Sequence, residues 1–211
     1  LIIKYTSLYL VYLDKKIIGG KKMKKYKLTD EKIEWYGRTL YRIIALISFG
    51  DVKNGDLGGF IEKEENLSHY DNCWVFGEAQ VFDEAQVCDE ARVFGEARVF
   101  DEARVFGKAQ VCDEARVCDE AQVFGKAQVF GKAQVFGKAQ ATTTVKTFGN
   151  GFRYNITVTD KHIKIGCQQR LKSEWINFTD REILEMDGRQ ALEFWNIFKP
   201  MGENMGLFTE V

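Results

Sequence analysis

Two histidines, His69 and His162, and five cysteines, Cys73, Cys88, Cys112, Cys118 and Cys167, are where this 211-residue chain could do acid–base, nucleophilic or metal chemistry. A histidine base must sit at a cleft beside its substrate, and a reactive thiol needs a cationic or histidine neighbour to hold the thiolate. His69 falls in a loop-like stretch and His162 opens a strand-like one, so both read as surface or packing residues. Two histidines without a CxxC do not make a zinc ligand set. Cys88, Cys112 and Cys118 stand where phenylalanine stands elsewhere in the chain and read as small apolar substitutes. An odd number of cysteines fits free thiols in a reducing cytoplasm better than a disulfide framework. Gly58-Gly59 lacks a phosphate-loop pattern and reads as a turn. The sequence therefore assigns no catalytic, cofactor-binding or metal-binding residue.

The elements that carry these side chains follow from a six-residue repeat. Val-(Phe/Cys)-(Gly/Asp)-(Glu/Lys)-Ala-(Gln/Arg) runs eleven times without a gap from Val75 to Gln140. A helix of 3.6 residues per turn would smear Val and Ala around its cylinder. A strand does not: in Ala-x-Val the two apolar residues face one way and the Gln or Arg between them faces water. The Gly/Asp-Glu/Lys pair supplies the turn. Short strands turning at fixed intervals build a parallel β-solenoid.

The flanks differ. Residues 1–22 are apolar at first but too short to span a bilayer, and no small-residue cleavage site follows. Gly19-Gly20-Lys21-Lys22-Met23 is what a ribosome-binding sequence, spacer and start codon would encode in frame. That makes Met23 the expected start and residues 1–22 a non-native or disordered leader. Residues 23–74 read as a β-rich N-terminal cap, with two strands around Tyr36-Gly37, the second reaching about Ile47, and turns at Asn54-Gly55 and Gly58-Gly59. Residues 75–147 are the repeats. Residues 148–211 read as a small α+β module, with strands at Tyr154–Thr159 and His162–Ile165. A capping box at Thr179–Glu182 opens a helix to about Met186, Asp187-Gly188 breaks it, and a second helix spans Arg189–Phe198 and stops before Pro200.

Val-x-x-x-Ala-x is similar to the hexapeptide signature of left-handed β-helices. The resemblance implies three hexapeptides per coil and about four coils over residues 75–147. It departs from that family in placing Phe or Cys directly after the aliphatic residue. Gly55–Phe60, Asn66–His69 and Asn72–Val75 resemble segments of uncharacterised bacterial and prophage proteins built on such repeats, a group without an established activity. Many left-handed β-helix proteins are acyltransferases using a histidine base beside an inserted loop, and the eleven units here hold neither histidine nor insertion. The metal-dependent carbonic anhydrases of that fold need three histidine ligands, and the chain has two.

At 18 residues per coil, outward side chains fall in columns: Phe76, Phe94, Cys112 and Phe130; Phe82, Phe100, Cys118 and Phe136; Cys88, Phe106 and Phe124. Aromatic rings on adjacent coils can stack. The turn residue is Glu from Glu78 to Glu102 and mostly Lys after Lys108, which reads as a solvated face before it reads as an axial dipole. Arg92, Arg98, Arg104 and Arg116 could touch an anionic partner, but the alternating acids favour a solvated face here too. A formal net charge of −1 leaves no electrostatic footprint for nucleic acid. The expectation is a cytoplasmic, non-enzymatic binding or scaffold protein without cofactor, contacting neither nucleic acid nor membrane. Its partner-binding residues would be an exposed Trp175 and Phe76, Phe94, Phe130, Phe82, Phe100 and Phe136. The alternatives are a self-assembling filament or trimer and a hexapeptide-type acyltransferase.

Overall fold

The computed structural model describes residues 17–18, 21–22, 24–143, 145–148 and 153–209. The expectation for residues 1–22 falls almost wholly outside them; β1 (Ile17–Ile18) and β2 (Lys21–Lys22) pair antiparallel. β3 (Tyr26–Trp35) and β4 (Arg38–Ala45) form a hairpin. Its two-residue turn puts Tyr36 at φ 46° and Gly37 at φ 79°, both left-handed, as the right-handed twist of a hairpin favours. β5 (Leu57–Ile61) then joins β4 antiparallel.

The junction between successive repeats forms a two-residue strand, giving twelve along the stack: β6 (Trp74–Val75), β7 (Gln80–Val81), β8 (Gln86–Val87), β9 (Arg92–Val93), β10 (Arg98–Val99) and β11 (Arg104–Val105). β12 (Gln110–Val111), β13 (Arg116–Val117), β14 (Gln122–Val123), β15 (Gln128–Val129), β16 (Gln134–Val135) and β17 (Gln140–Ala141) complete the series. β6 to β14 each pair in parallel with the strand 18 residues on, as in Arg98↔Arg116 and Val99↔Val117. The result is a parallel β-solenoid of about five turns. The repeat valines and alanines are buried in one continuous core. The third residue of all eleven repeats has φ between 55° and 69°, whether Gly77, Asp83 or Gly137. Glycine reaches that region without strain and aspartate at little cost, which accounts for the Gly/Asp alternation.

The solenoid is longer than the four coils expected because the N-terminal segment enters the stack. Phe60 pairs in parallel with Gln80, Ile61 with Val81, and Leu67 bridges to Val87. Tyr26, Ile43 and Trp74 share the core of the repeats. Gly58 and Gly59 are therefore strand residues, not a turn. A Cβ on Gly59 would lie 2.5 Å from the Ala79 carbonyl, so the pair marks a close backbone approach.

β18 (Lys146–Phe148), β19 (Ile156–Val158), β20 (His162–Ile165) and β21 (Gln168–Leu171) form an antiparallel meander. α1 (Lys172–Asn177) follows, then α2 (Asp180–Asn204), which opens on the Thr179–Glu182 capping box and is broken at Asp187–Gly188, as the sequence indicates. It does not stop at Pro200. The missing N–H costs one helical bond, but buried Phe198 and the packing of Gly202 against Phe208 hold the helix through it. These elements enclose a second core around Ile163, Trp175, Trp195 and Phe198.

Both ends of the solenoid are closed by the chain itself. Before the first repeat, Lys25 Nζ donates to the carbonyls of Cys73 (2.8 Å), Tyr70 (3.3 Å) and Asp71 (3.5 Å). Buried Asn66 donates to the carbonyls of Asp83 and Ala85. After the last repeat, Gln134 N–H donates to Thr157 Oγ1, Thr142 N–H to Asp160 Oδ2, and Gln169 Nε2 to the Phe136 carbonyl. Open strand edges invite pairing with other chains, and these contacts occupy them.

Candidate functional site

The C-terminal sheet and helices enclose a mainly apolar cavity of about 220 Å³. The β20–β21 turn contributes Gly166 and Cys167, α1 contributes Trp175, and α2 contributes Ile183, Met186, Asp187, Ala191, Phe194 and Trp195, with Tyr154 closing one side. Concave apolar sites with few polar groups are how proteins hold small apolar ligands or a partner's side chain. The polar side chains at this wall include Gln168, Asp187 and Tyr154, whose hydroxyl donates to Asp187 Oδ2 at 2.5 Å. Burial and this hydrogen bond push the Tyr154 phenol up from its ordinary range, so it stays neutral and donating at physiological pH. The break at Asp187–Gly188 (Gly188 φ 66°) lets α2 bend where the carboxylate meets the phenol.

Trp175 is 2% exposed and donates its indole N–H to the Ile163 carbonyl at 2.7 Å. The exposed Trp175 expected from sequence is thus corrected: it meets Phe178 edge-on, lies tilted against Trp195 and reaches outward only as a cavity wall. Sequence reading missed Tyr154, Cys167 and Asp187 as its neighbours. The signal within reach was the helix break, which places Asp187 outside regular hydrogen bonding.

The phenylalanine columns stack. Phe82 and Phe100 lie parallel at 5.1 Å between centroids, and Phe106 and Phe124 at 5.0 Å. Their accessibility differs. Phe82 is 6% exposed beneath Leu40, Phe60 and Trp35 of the N-terminal hairpin and strand β5, with Phe100 half-buried above it. Phe136 lies under Lys164 Nζ at 4.3 Å from its ring centre. Phe76 is covered by Arg92, Phe94 is half-buried, and Phe130 is 39% exposed. The structure does not gather the seven candidate residues into one surface.

His69 stacks on Tyr26 at 4.2 Å and accepts the Lys25 backbone N–H through Nδ1 at 3.2 Å; burial lowers its pKa. His162 is also held low by burial, with Nδ1 buried and unpartnered. Burial raises the Cys88 and Cys118 thiols to about 12, so neither is a thiolate at neutral pH. Asp101, Cys118 and Asp119 bring one ligand atom each within 4.8 Å. One oxygen of each carboxylate serves the coil ladder: Asp101 Oδ2 accepts the Asp119 N–H at 3.3 Å and Asp119 Oδ2 accepts the Gly137 N–H at 2.8 Å.

The turn charges also pair between coils. Lys108 meets Glu90 at 3.6 Å, Lys132 meets Glu114 and Lys138 meets Glu120 at 3.9 Å. Arg42 and Lys63 of the N-terminal segment hold Glu78 and Glu84. The Glu-to-Lys shift along the axis is thus partly neutralised column by column. No helix among the described residues is long and apolar enough to cross a membrane. No protein-family model and no curated protein matches this chain, so its function must be argued from the geometry above.

Proposed function

We propose that this protein is a non-enzymatic binding scaffold: a rigid, end-capped solenoid carrying a recognition module at residues 148–211. The cavity lined by Trp175, Trp195, Ala191 and Asp187 carries the reading. It takes an apolar, preferably aromatic, group from a ligand or partner, with the Tyr154–Asp187 pair orienting any polar substituent. The coils are read as left-handed with three hexapeptides per turn; the 18-residue strand register supports three units per turn, and the hand follows from the resemblance alone. The acyltransferase alternative needs a histidine at a coil cleft, and both histidines are packed at the flanks.

Two tryptophans in the cavity wall make the test direct. Indole-free aromatic probes such as toluene, titrated into the full chain, are expected to change tryptophan fluorescence saturably at low millimolar concentration. Ala191→Phe, which fills the space, should remove the effect while the far-ultraviolet circular dichroism is kept. Absence of saturable binding in a folded wild-type chain would overturn the reading.

A further inference from the structure

The four solenoid arginines are not equivalent once placed. Among the described residues, Arg92 holds Asp51 at 2.8 Å, and Arg38 and Arg42 of the hairpin hold carboxylates as well. Among the described residues, Arg98 and Arg116 hold none. They sit in register on adjacent strands, about 4.8 Å apart along the stack. The Arg98 guanidinium lies on the Trp35 ring at 4.1 Å, fixed from one side, and its Nε is buried without a hydrogen-bond partner. Burial and then the neighbouring Arg116 charge hold the Arg98 pKa down, and nearby Glu96 opposes them only in part. One strand further, Lys164 Nζ bonds Gln134 Oε1 and adds a third cation to the column.

Like charges directly opposite on neighbouring strands repel, and planar N–H forks match tetrahedral oxyanions in geometry and charge. We propose that Arg98 and Arg116, with Lys164 at the edge, form a binding site for a phosphate-class oxyanion. Trp35 serves as the platform that positions Arg98. The same chemistry is offered by free phosphate and by a phosphate monoester on a peptide, and the experiment separates the two.

The arginine Nε–H signals of the isotopically labelled full chain would be followed by NMR at constant ionic strength. Inorganic phosphate replaces chloride in one arm and a phosphoserine peptide in the other. Saturable shifts of the Arg98 and Arg116 signals, with Arg92 unmoved, are expected. Arg98→Gln and Arg116→Gln should each weaken binding ten-fold or more. A peptide that binds ten-fold tighter than phosphate identifies the source as a macromolecule, and equal affinity identifies the free ion; both support the site. Uniform, non-saturating shifts across all arginines, or retained affinity in both folded variants, would overturn it.

Discussion

Lys25 and Asp160 close opposite ends of the solenoid with opposite charges. The Lys25 ammonium gathers the carbonyls of Tyr70, Asp71 and Cys73. The Asp160 carboxylate gathers the Thr142 N–H at 2.7 Å and the hydroxyls of Thr142 and Thr143 at 2.5 and 2.6 Å. Each replaces a missing coil with one side chain of the polarity that the exposed backbone demands. An unsatisfied buried backbone group costs about 1–3 kcal/mol, so these two residues settle whether the stack ends or continues.

That relationship predicts an acid sensitivity with a definite sign. Burial alone would raise the Asp160 pKa, but the hydrogen bonds from Thr142 and Thr143 outweigh it and hold the carboxyl below its ordinary range. A depressed folded pKa contributes stability above the unfolded value of about 3.9 and loses it as pH falls through the folded value. Urea unfolding of wild type and Asp160→Asn should show a stability gap at pH 6 that narrows steadily below about pH 4. A gap that stays constant across this range would show that Asp160 acts by shape alone.

The turn position separates two roles of one residue. Asp113 adopts φ 59° and its Oδ2 accepts the Gly131 N–H one coil on, at 2.9 Å. Asp89 and Asp119 do the same for Gly107 and Gly137. Asp113→Gly keeps the backbone conformation and gives up only the exposed hydrogen bond, so a loss near 1 kcal/mol is expected. Asp113→Ala gives up the bond and keeps a Cβ in the left-handed region without the short polar side chain that lets aspartate visit it, so it should lose about 1–2 kcal/mol more than Asp113→Gly. Equal losses in equilibrium denaturation would mean that the ladder, not the backbone angle, selects these residues.

What could be read from the chain alone follows the range of the forces involved. Valine and alanine positions, the Gly/Asp turn and the Thr179 cap are set by strand period, φ and local hydrogen bonding, and all are as the sequence indicates. Gly58–Gly59 and Pro200 misled because tertiary packing, not local preference, sets their conformations, through Ala79 against Gly59 and through Phe208 against Gly202 just after Pro200. Trp175 looked exposed for the same reason: a lone indole beside charged residues carries no local sign of the sheet that will cover it. The cavity needed Tyr154 and Asp187, thirty-three positions apart, to be brought to one hydrogen bond. No periodicity announces such a pair. Arg98 and Arg116 are the opposite case, since the 18-residue register places them together, while only the structure shows that among the described residues neither is ion-paired and that Arg98 lies on Trp35.

Closed ends predict how the protein behaves in solution. If Asn66, Lys25, Thr157 and Asp160 satisfy the terminal coils, light scattering on the full chain should give one mass across a hundred-fold range of concentration. Lateral contact through the most open ring of the columns, Phe130, would give a small discrete oligomer instead. Phe130→Arg should return that oligomer to the monomer mass, because a charge at the centre of an apolar contact must be desolvated. A mass that climbs without limit and ignores Phe130→Arg would require growth along the axis. The side-chain caps would then be yielding to strand pairing with a second copy, and the discrete binding scaffold would give way to a filament.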